Sequence, residues 1–222
     1  MRVTGIDACR GGWVAASLAD GELAAVTVAR SLAVLLGGDT MSGGEVTGID
    51  MPLGLLAAGW RTADKLAAGL LGPRRSSVFA IPPRAVWEQP GYGAANQLCR
   101  ELTGCGLSAQ AWGLRAKLLE ANEYRETGRS ELYEVHPELA FTAMAGAPLA
   151  DSKHTPGGRE HRRDLLAREG IAIPARPAAP LADVLDAAAV AWSAQRISAG
   201  LAVTVTDPAQ NDDRGREIAI RY

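Results

Sequence analysis

The sequence has few cysteines and no long apolar run, and these shortages exclude several classes of protein. Its three cysteines are odd in number and lack the C-x-x-C spacing of zinc and redox sites, so we expect neither a disulfide framework nor a structural zinc. No stretch approaches the roughly 18 apolar residues of a membrane helix, and no signal-peptide pattern opens the chain. A soluble, cytoplasmic protein without membrane contact is therefore expected.

An excess of positive charge is also missing. Lys and Arg total 23 against 25 Asp and Glu, a net charge of −2, so any nucleic-acid site has to be a local patch. The phosphate-loop fingerprints G-x-x-x-x-G-K-[ST] and G-x-G-x-x-G are absent.

With 222 residues, of which 47% are hydrophobic and 22% charged, the chain is expected to fold as one enlarged domain over residues 1–222.

The chain does contain a regular succession of strand and helix signals. Three β-prone runs predict an antiparallel meander, and they cover residues 3–7, 13–19 and 22–29. Asp20-Gly21 is a strong hairpin signal between the last two runs. A short helix over residues 31–36 and a fourth strand over residues 45–50 are expected next.

Helical periodicity then predicts an insertion over about residues 61–130, with helices at 61–71, 92–103 and 108–126. A proline-rich, basic loop at 72–84 is interpreted as an excursion over the sheet edge. A fifth strand is expected at 131–136. The remaining elements are two helices and two strand-like segments, at 159–169, 181–198, 203–206 and 217–221. This order predicts an α/β fold with an RNase H-like mixed sheet, in which the first and fourth strands are neighbours.

The most informative local feature is a repeated pentapeptide. Val-Thr-Gly-Ile-Asp occupies residues 3–7 and again residues 46–50, and the Asp ends a strand in both copies. If these strands are parallel neighbours, Asp7 and Asp50 emerge about 5 Å apart at the same carboxyl edge of the sheet. Such a pair suits a two-metal site for Mg²⁺ or Mn²⁺. The alternative is that each Asp only caps the turn that follows it.

Further carboxylates are expected near this edge. Asp183 and Asp186 lie three residues apart near the start of the last helix and project to one side, although they could simply complement the helix dipole. Glu134 lies on the fifth strand, beside His136 and just before Glu138. A solvated or ion-paired Glu134 is the alternative to a ligand. His136 is either a packed histidine or a metal ligand.

Basic side chains accompany the acidic ones. The candidates to neutralise phosphates lie in the insertion loop, in the Gly-rich loop and on the helix that follows it. They are Arg74, Arg75, Arg84, Lys153, Arg159, Arg162, Arg163 and Arg168. Acidic residues are interleaved with the arginines of that helix. An ordinary solvated surface is therefore the alternative interpretation.

Three motifs in this order resemble a widespread family of predicted RNase H-like nucleases, the domain-of-unknown-function family 429. They are Gly5-Ile6-Asp7-Ala8-Cys9-Arg10-Gly11-Gly12-Trp13, Asp50-Met51-Pro52-Leu53-Gly54-Leu55 and Glu134-Val135-His136-Pro137-Glu138. Similar segments, Ser76–Phe79, Ser152-Lys153 with Gly158-Arg159 and Arg162, and Asp183–Ala188, extend the resemblance over nearly the whole chain. Ala80 departs from the family pattern, which has a proline there, and this bears on the shape of the loop.

The resemblance implies an RNase H-like, Mg²⁺- or Mn²⁺-dependent nuclease acting on a nucleic acid or nucleotide. The implied catalytic residues are Asp7, Asp50, Glu134 and Asp186, and Asp183 joins them as a metal ligand. The candidates for substrate binding are Arg10, Arg74, Arg75, Lys153, Arg159 and Arg162. Two other functions stay open: a non-catalytic nucleic-acid- or protein-binding module, and an actin-like ATP-dependent phosphotransferase. The oligomeric state, a homodimer included, also stays open.

Overall fold

The computed structural model describes residues 1–37, 45–128 and 131–222. The strands in these ranges are β1 Arg2–Cys9, β2 Gly12–Ala19, β3 Glu22–Ala29, β4 Val46–Ile49, β5 Leu132–Glu134, β6 Thr204–Asn211 and β7 Glu217–Arg221. The first five form one mixed sheet in the order β3-β2-β1-β4-β5, while β6 and β7 pair in a second sheet. The predicted antiparallel meander and the parallel pairing of β1 with β4 are both confirmed.

The helices of the described ranges are α1 Leu32–Leu36, α2 Thr62–Leu71, α3 Arg84–Trp87, α4 Tyr92–Thr103, α5 Ala109–Gly113, α6 Arg115–Glu126, α7 Pro137–Ala145, α8 Pro156–Arg168 and α9 Leu181–Ser198, with a 3₁₀ helix at Gly72–Ser77. Helices α2 to α6 lie between β4 and β5, as the predicted insertion requires. The last two residues of that predicted insertion lie outside the described ranges. None of the described helices has the length and apolar character needed to cross a bilayer.

The third helix of the insertion and the fifth strand differ from their predicted extents in ways that bear on the site. The single helix expected over 108–126 is two helices, because Gly113 weakens the helix and the chain turns at Leu114. Strand β5 ends at Glu134, two residues earlier than expected. His136 already serves as the N-cap of α7, and Pro137 occupies the first position of that helix.

Helices cover both faces of the five-stranded sheet. The insertion packs on the face that presents Ile6 and Ile49, whereas α7, α8 and α9 pack on the face that presents Val3. Glu120 of α6 fastens the insertion to the sheet, because its carboxylate accepts hydrogen bonds from the Trp13 indole and the Leu32 backbone N–H, at 2.9 and 2.7 Å. The insertion is thus fixed relative to the strand ends.

The glycines of the repeated pentapeptide allow α9 to lie directly on the sheet. Gly5 and Gly48 are paired in register on β1 and β4. A Cβ atom at Gly5 would lie 2.0 Å from the backbone nitrogen of Ala191. Residues two apart on a strand share a face, so Asp7 and Asp50 project to the same side as these glycines. The repeat therefore determines both the approach of α9 and the placement of the two carboxylates.

Candidate metal centre

Three aspartates from three elements meet at the carboxyl edge of the sheet. Asp7 lies on β1, Asp50 directly follows β4, and Asp186 lies on the second turn of α9. Each offers an oxygen, and these oxygens all lie within 4.8 Å of one another. The Asp50 backbone N–H donates to the carbonyl of Ile6 at 2.8 Å, which continues the pairing of the strands and keeps Asp50 beside Asp7. The structure thus brings together three of the five carboxylates expected here.

Among the described residues, the cluster contains one fully buried carboxylate oxygen that has no hydrogen-bond donor. Oδ1 of Asp7 accepts from the Ala8 backbone N–H at 2.7 Å. Oδ2 of Asp186 accepts from the ammonium of Lys153, while Oδ1 of Asp186 is buried and has no partner. Only 1% of the Asp186 residue surface is exposed. A buried oxygen without a partner is unfavourable by about 1–3 kcal/mol, and a cation would satisfy it.

The three aspartates have more negative charge than the neighbouring lysine can balance, and their pKa values are raised. Burial, together with the charge of Asp186, raises the pKa of Asp50 to about 7. Burial and the two neighbouring carboxylates likewise hold the pKa of Asp7 well above its ordinary value. Burial disfavours the charge of Lys153, yet Asp186 and Asp50 outweigh it and raise the pKa of the lysine. One ammonium serves three carboxylates, so the site favours an additional cation.

Glu134, predicted to be a catalytic metal ligand, lines the cleft but lies outside the group of three converging aspartates. Both of its oxygens lie 2.6 Å from the guanidinium of Arg61, and one also accepts from the Leu53 backbone N–H at 2.7 Å. Arg61 is buried and lies 3.2 Å from Asp64 as well. Burial raises the pKa of Glu134 to about 7 against the opposing charge of Arg61. The physical reason for the difference is this buried guanidinium, which occupies the carboxylate.

Asp183, the fifth predicted ligand, lies on the first turn of α9 and lines the cleft beside the cluster. It is half-buried, and burial and Asp186 raise its pKa. The structure does not place it within the three-aspartate group. Its position leaves it next to the site rather than in it.

The predicted basic residues divide into two sets. Arg74 and Lys153 line the cleft, whereas Arg10 and Arg75 are exposed outside its lining. Arg159 donates to the carbonyl of His154 at 2.8 Å, also outside the lining. The structure thus leaves two of the six candidates at the cleft.

Arg162 is placed differently from the prediction that it binds substrate. It has no exposed surface, and its guanidinium donates to both oxygens of Glu138, at 2.7 and 2.9 Å. Glu138 is itself buried. The pair leaves Arg162 no surface for a substrate, so this residue has a structural position inside the protein.

A cleft of about 640 Å³ opens beside the aspartates. The 3₁₀ helix forms one wall and is held across the sheet edge by Arg74, which donates to the carbonyls of Leu149 and Ala150 at 2.9 and 2.8 Å. Nε2 of His136 lies 3.2 Å from the carbonyl of Ser77 and fixes the same wall, while Nδ1 of His136 is buried without a partner. Burial lowers the pKa of His136. The loop interpreted as an excursion over the edge is therefore part of the site.

Five residues that line this cleft were not predicted as site residues from the sequence: Asp64, Gln110, Leu114, His154 and Ile220. Asp64 did carry a signal, because it shares the i, i+3, i+7 spacing of a helix face with Ala67 and Leu71, both buried. A charged residue on an apolar face indicates a buried polar contact. Gln110 and Leu114 follow no comparable pattern, since their position depends on the break between α5 and α6.

The fold and the site together define an α/β protein with a buried carboxylate centre at the edge of a mixed sheet. The model of one protein family, described as a protein of unknown function (DUF429), matches residues 5–211. The chain therefore belongs to this family, as its motifs indicate. No curated protein and no solved structure matches the chain.

Proposed function

We propose that this protein is a metal-dependent phosphodiesterase acting on nucleic acid, built on an RNase H-like fold. The observation that carries the proposal is the convergence of Asp7, Asp50 and Asp186 within 4.8 Å, with a buried oxygen of Asp186 left without a donor. The sheet order β3-β2-β1-β4-β5, antiparallel in its first three strands and parallel in the rest, supports the RNase H-like assignment.

The donor set fits a hard divalent cation. Asp7, Asp50 and Asp186 offer only carboxylate oxygens, which suit Mg²⁺ and Mn²⁺ better than the nitrogen and sulfur ligands typical of zinc. An added divalent charge would also balance the carboxylates that Lys153 now compensates in part. The three aspartates are therefore the residues proposed to hold the ion.

A bound divalent ion would polarise a phosphoryl oxygen and lower the pKa of the attacking water. The side chains around it have separate tasks. Lys153 and Arg74, the basic groups predicted from sequence that line the cleft, hold and orient the phosphate. The wall formed by the 3₁₀ helix limits the access of bulk water to the reacting phosphate.

A test combines metal binding with cleavage. Isothermal titration calorimetry with Mn²⁺ is run beside a Mn²⁺-dependent cleavage screen over single-stranded, duplex, hybrid and branched nucleic acids. Wild-type protein should bind Mn²⁺ and cut at least one substrate, and Asp7→Asn should lose both properties. Asp164→Asn is the matched control, since Asp164 is an exposed residue of α8 away from the cleft. Binding of nucleic acid without Mn²⁺ binding or cleavage would instead support a non-catalytic binding module.

A further inference from the structure

The cleft beside the aspartates has a charged part and an apolar part. The sheet edge and the α9 side supply charge, through Asp7, Asp50 and Lys153. The insertion and the segment after the 3₁₀ helix supply apolar surface, through Phe79 and Leu114. A ligand that fills the cleft must therefore combine an anionic group with a flat or bulky apolar group.

The size and charge of the cleft fit a small ligand better than a double helix. Its volume of about 640 Å³ lies within the roughly 300–1,000 Å³ range of small-molecule sites. Binding of a duplex relies on many phosphate contacts from Lys and Arg. Within the described ranges the Lys and Arg side chains lining the cleft are Arg74 and Lys153, and both already have protein partners. Such a site provides charge for one or two phosphates.

We infer that the substrate occupies this cleft as a single unpaired nucleotide unit, with its phosphate at the aspartates and its base against Phe79 and Leu114. This inference rests on the proposed function and narrows its substrate class. The amide of Gln110, which also lines the cleft, can both donate to and accept from the edge of the base. Phe79 and Gln110 are accordingly the residues that select an unpaired base.

The wall that carries Phe79 is held rigidly, which suits a stacking platform. Phe79 is partly buried and packs against the core cluster of the insertion. The residue before it, Val78, packs against the cluster formed by α2, β6 and β7. Just beyond it, the backbone N–H of Ile81 donates to Asp64 at 2.9 Å. Because the aromatic side chain is positioned in advance, a stacked base would lose little affinity to the ordering of protein.

The test varies the base and the protein together. One single-stranded oligonucleotide is compared with a copy lacking the base at the scissile position, with its own duplex, and with versions blocked at either end. Each is offered with Mn²⁺ to wild type, Phe79→Ala, Phe79→Leu and Gln110→Ala. Leu102→Ala and Gln97→Ala are the controls, because both residues are exposed on α4 away from the cleft.

Wild type should prefer the single strand to the duplex and should discriminate against the abasic copy. Phe79→Ala should raise the KM for the intact strand by roughly five- to a hundredfold, which is the loss expected for one base stack. This variant should cleave the intact strand and its abasic copy equally well. The KM of Phe79→Leu for the intact strand should lie between those of wild type and Phe79→Ala. Mn²⁺ affinity, measured by calorimetry, should equal that of wild type in every variant. Cleavage of the end-blocked strands shows whether the bound nucleotide is at the end of the strand or within it.

Equal cleavage of intact and abasic strands by wild type, or of duplex and single strand, overturns the inference and leaves the proposed function standing. A KM that is unchanged in both Phe79 variants also overturns the inference and leaves the proposed function standing. Absence of Mn²⁺ binding and of all cleavage overturns both. Far-ultraviolet circular dichroism of each variant separates a lost stack from a lost fold.

Discussion

The ammonium of Lys153 lies 2.5 Å from Oδ2 of Asp186, on a side chain whose other oxygen has no partner. Asp186 is almost completely buried, whereas about a third of the lysine side chain, 36%, is exposed. Lys153 therefore supplies the nearest positive charge to a group of carboxylates that would otherwise repel one another. A metal ion and this lysine would compensate the same charge.

Substitution of Lys153 by Gln should destabilise the protein mainly when metal is absent. In EDTA the free energy of unfolding should fall by about 1–3 kcal/mol, because Asp186 is left buried without its ion pair. Saturating Mn²⁺ should recover most of this loss. Urea unfolding with EDTA and with Mn²⁺ measures both values, and Lys65→Gln on the exposed face of α2 is the control. The same loss in both conditions would show that Lys153 does not share its role with a cation.

Substitution of Asp7 by Asn should separate stability from metal binding. Without metal, Asp7→Asn should be more stable than wild type, since it removes one of three repelling carboxylates and keeps an oxygen that can accept from Ala8. Its Mn²⁺ affinity should fall by more than the roughly 10- to 100-fold typical of residues that only support a ligand. Thermal unfolding in EDTA and calorimetry with Mn²⁺ give the two values. A variant that is less stable in EDTA but binds Mn²⁺ normally contradicts the assignment.

The metal-free protein should lose stability as the pH rises through the titration of Asp50. The pKa of this carboxyl is raised in the folded protein from its ordinary 3.8 to about 7. Between these values the unfolded chain has released the proton that the folded protein still holds, so the contribution to stability is complete at the acid end and declines toward pH 7.

Asp50→Asn should lack this dependence, because its side chain does not titrate. Urea unfolding in EDTA across the same pH range should therefore show that the variant gains stability relative to wild type as the pH increases. A difference between the two proteins that stays constant, or that shrinks with rising pH, would contradict the raised pKa. Comparing the two proteins at each pH cancels the titration of groups that do not interact with Asp50, and the loss of the Asp50 charge also lowers the pKa of Asp7 in the variant.

Local signals made much of the fold predictable from the sequence. The strand period, the Asp20-Gly21 turn and the repeated pentapeptide all lie within a few residues of the elements they define. The repeat also predicted the meeting of Asp7 and Asp50, because parallel neighbouring strands end at the same edge. Helix α9 was predicted over its observed length, and this placed Asp186 near the same edge.

The sequence did not predict which charged side chains are neutralised inside the protein. Glu134 pairs with Arg61, and Glu138 pairs with Arg162, across 73 and 24 residues. Residue type indicates that a group can bind metal or phosphate, but the presence of a buried counter-charge depends on how distant helices pack. At Glu134 and at Arg162 the observed surroundings differ from the predicted ones because of such pairs.

Substitution of Glu134 by Gln tests whether this residue supports the structure or binds metal. Among the described residues Arg61 would keep Asp64 as its counter-charge and lose Glu134, so the free energy of unfolding should fall by about 1–3 kcal/mol. Mn²⁺ affinity should change little, because Glu134 is not one of the converging carboxylates. Urea unfolding and calorimetry measure the two quantities, with Glu123→Gln on the exposed side of α6 as the control. Loss of Mn²⁺ binding at unchanged stability would restore Glu134 as a ligand.

Substitution of Gly5 by Ala should impair the site without touching any of its carboxylates. The new Cβ would lie 2.0 Å from the backbone nitrogen of Ala191 and 2.2 Å from the carbonyl oxygen of Ala187, so α9 has to move away from the sheet. Overpacking of this kind typically lowers stability by roughly 1–3 kcal/mol, and backbone atoms cannot rotate aside. Because Asp186 lies on the same helix, its displacement should also weaken Mn²⁺ binding.

The same substitution at Gly69 is the matched control, since a Cβ there meets nothing within 4 Å. In helix α2 the change from Gly to Ala should raise stability by up to about 1 kcal/mol and leave Mn²⁺ affinity unchanged. Urea unfolding and Mn²⁺ calorimetry on both variants decide the matter. If Gly5→Ala lowered stability but bound Mn²⁺ as wild type does, the position of α9 on the sheet would not determine the geometry of the aspartates, and Asp186 would not be a ligand.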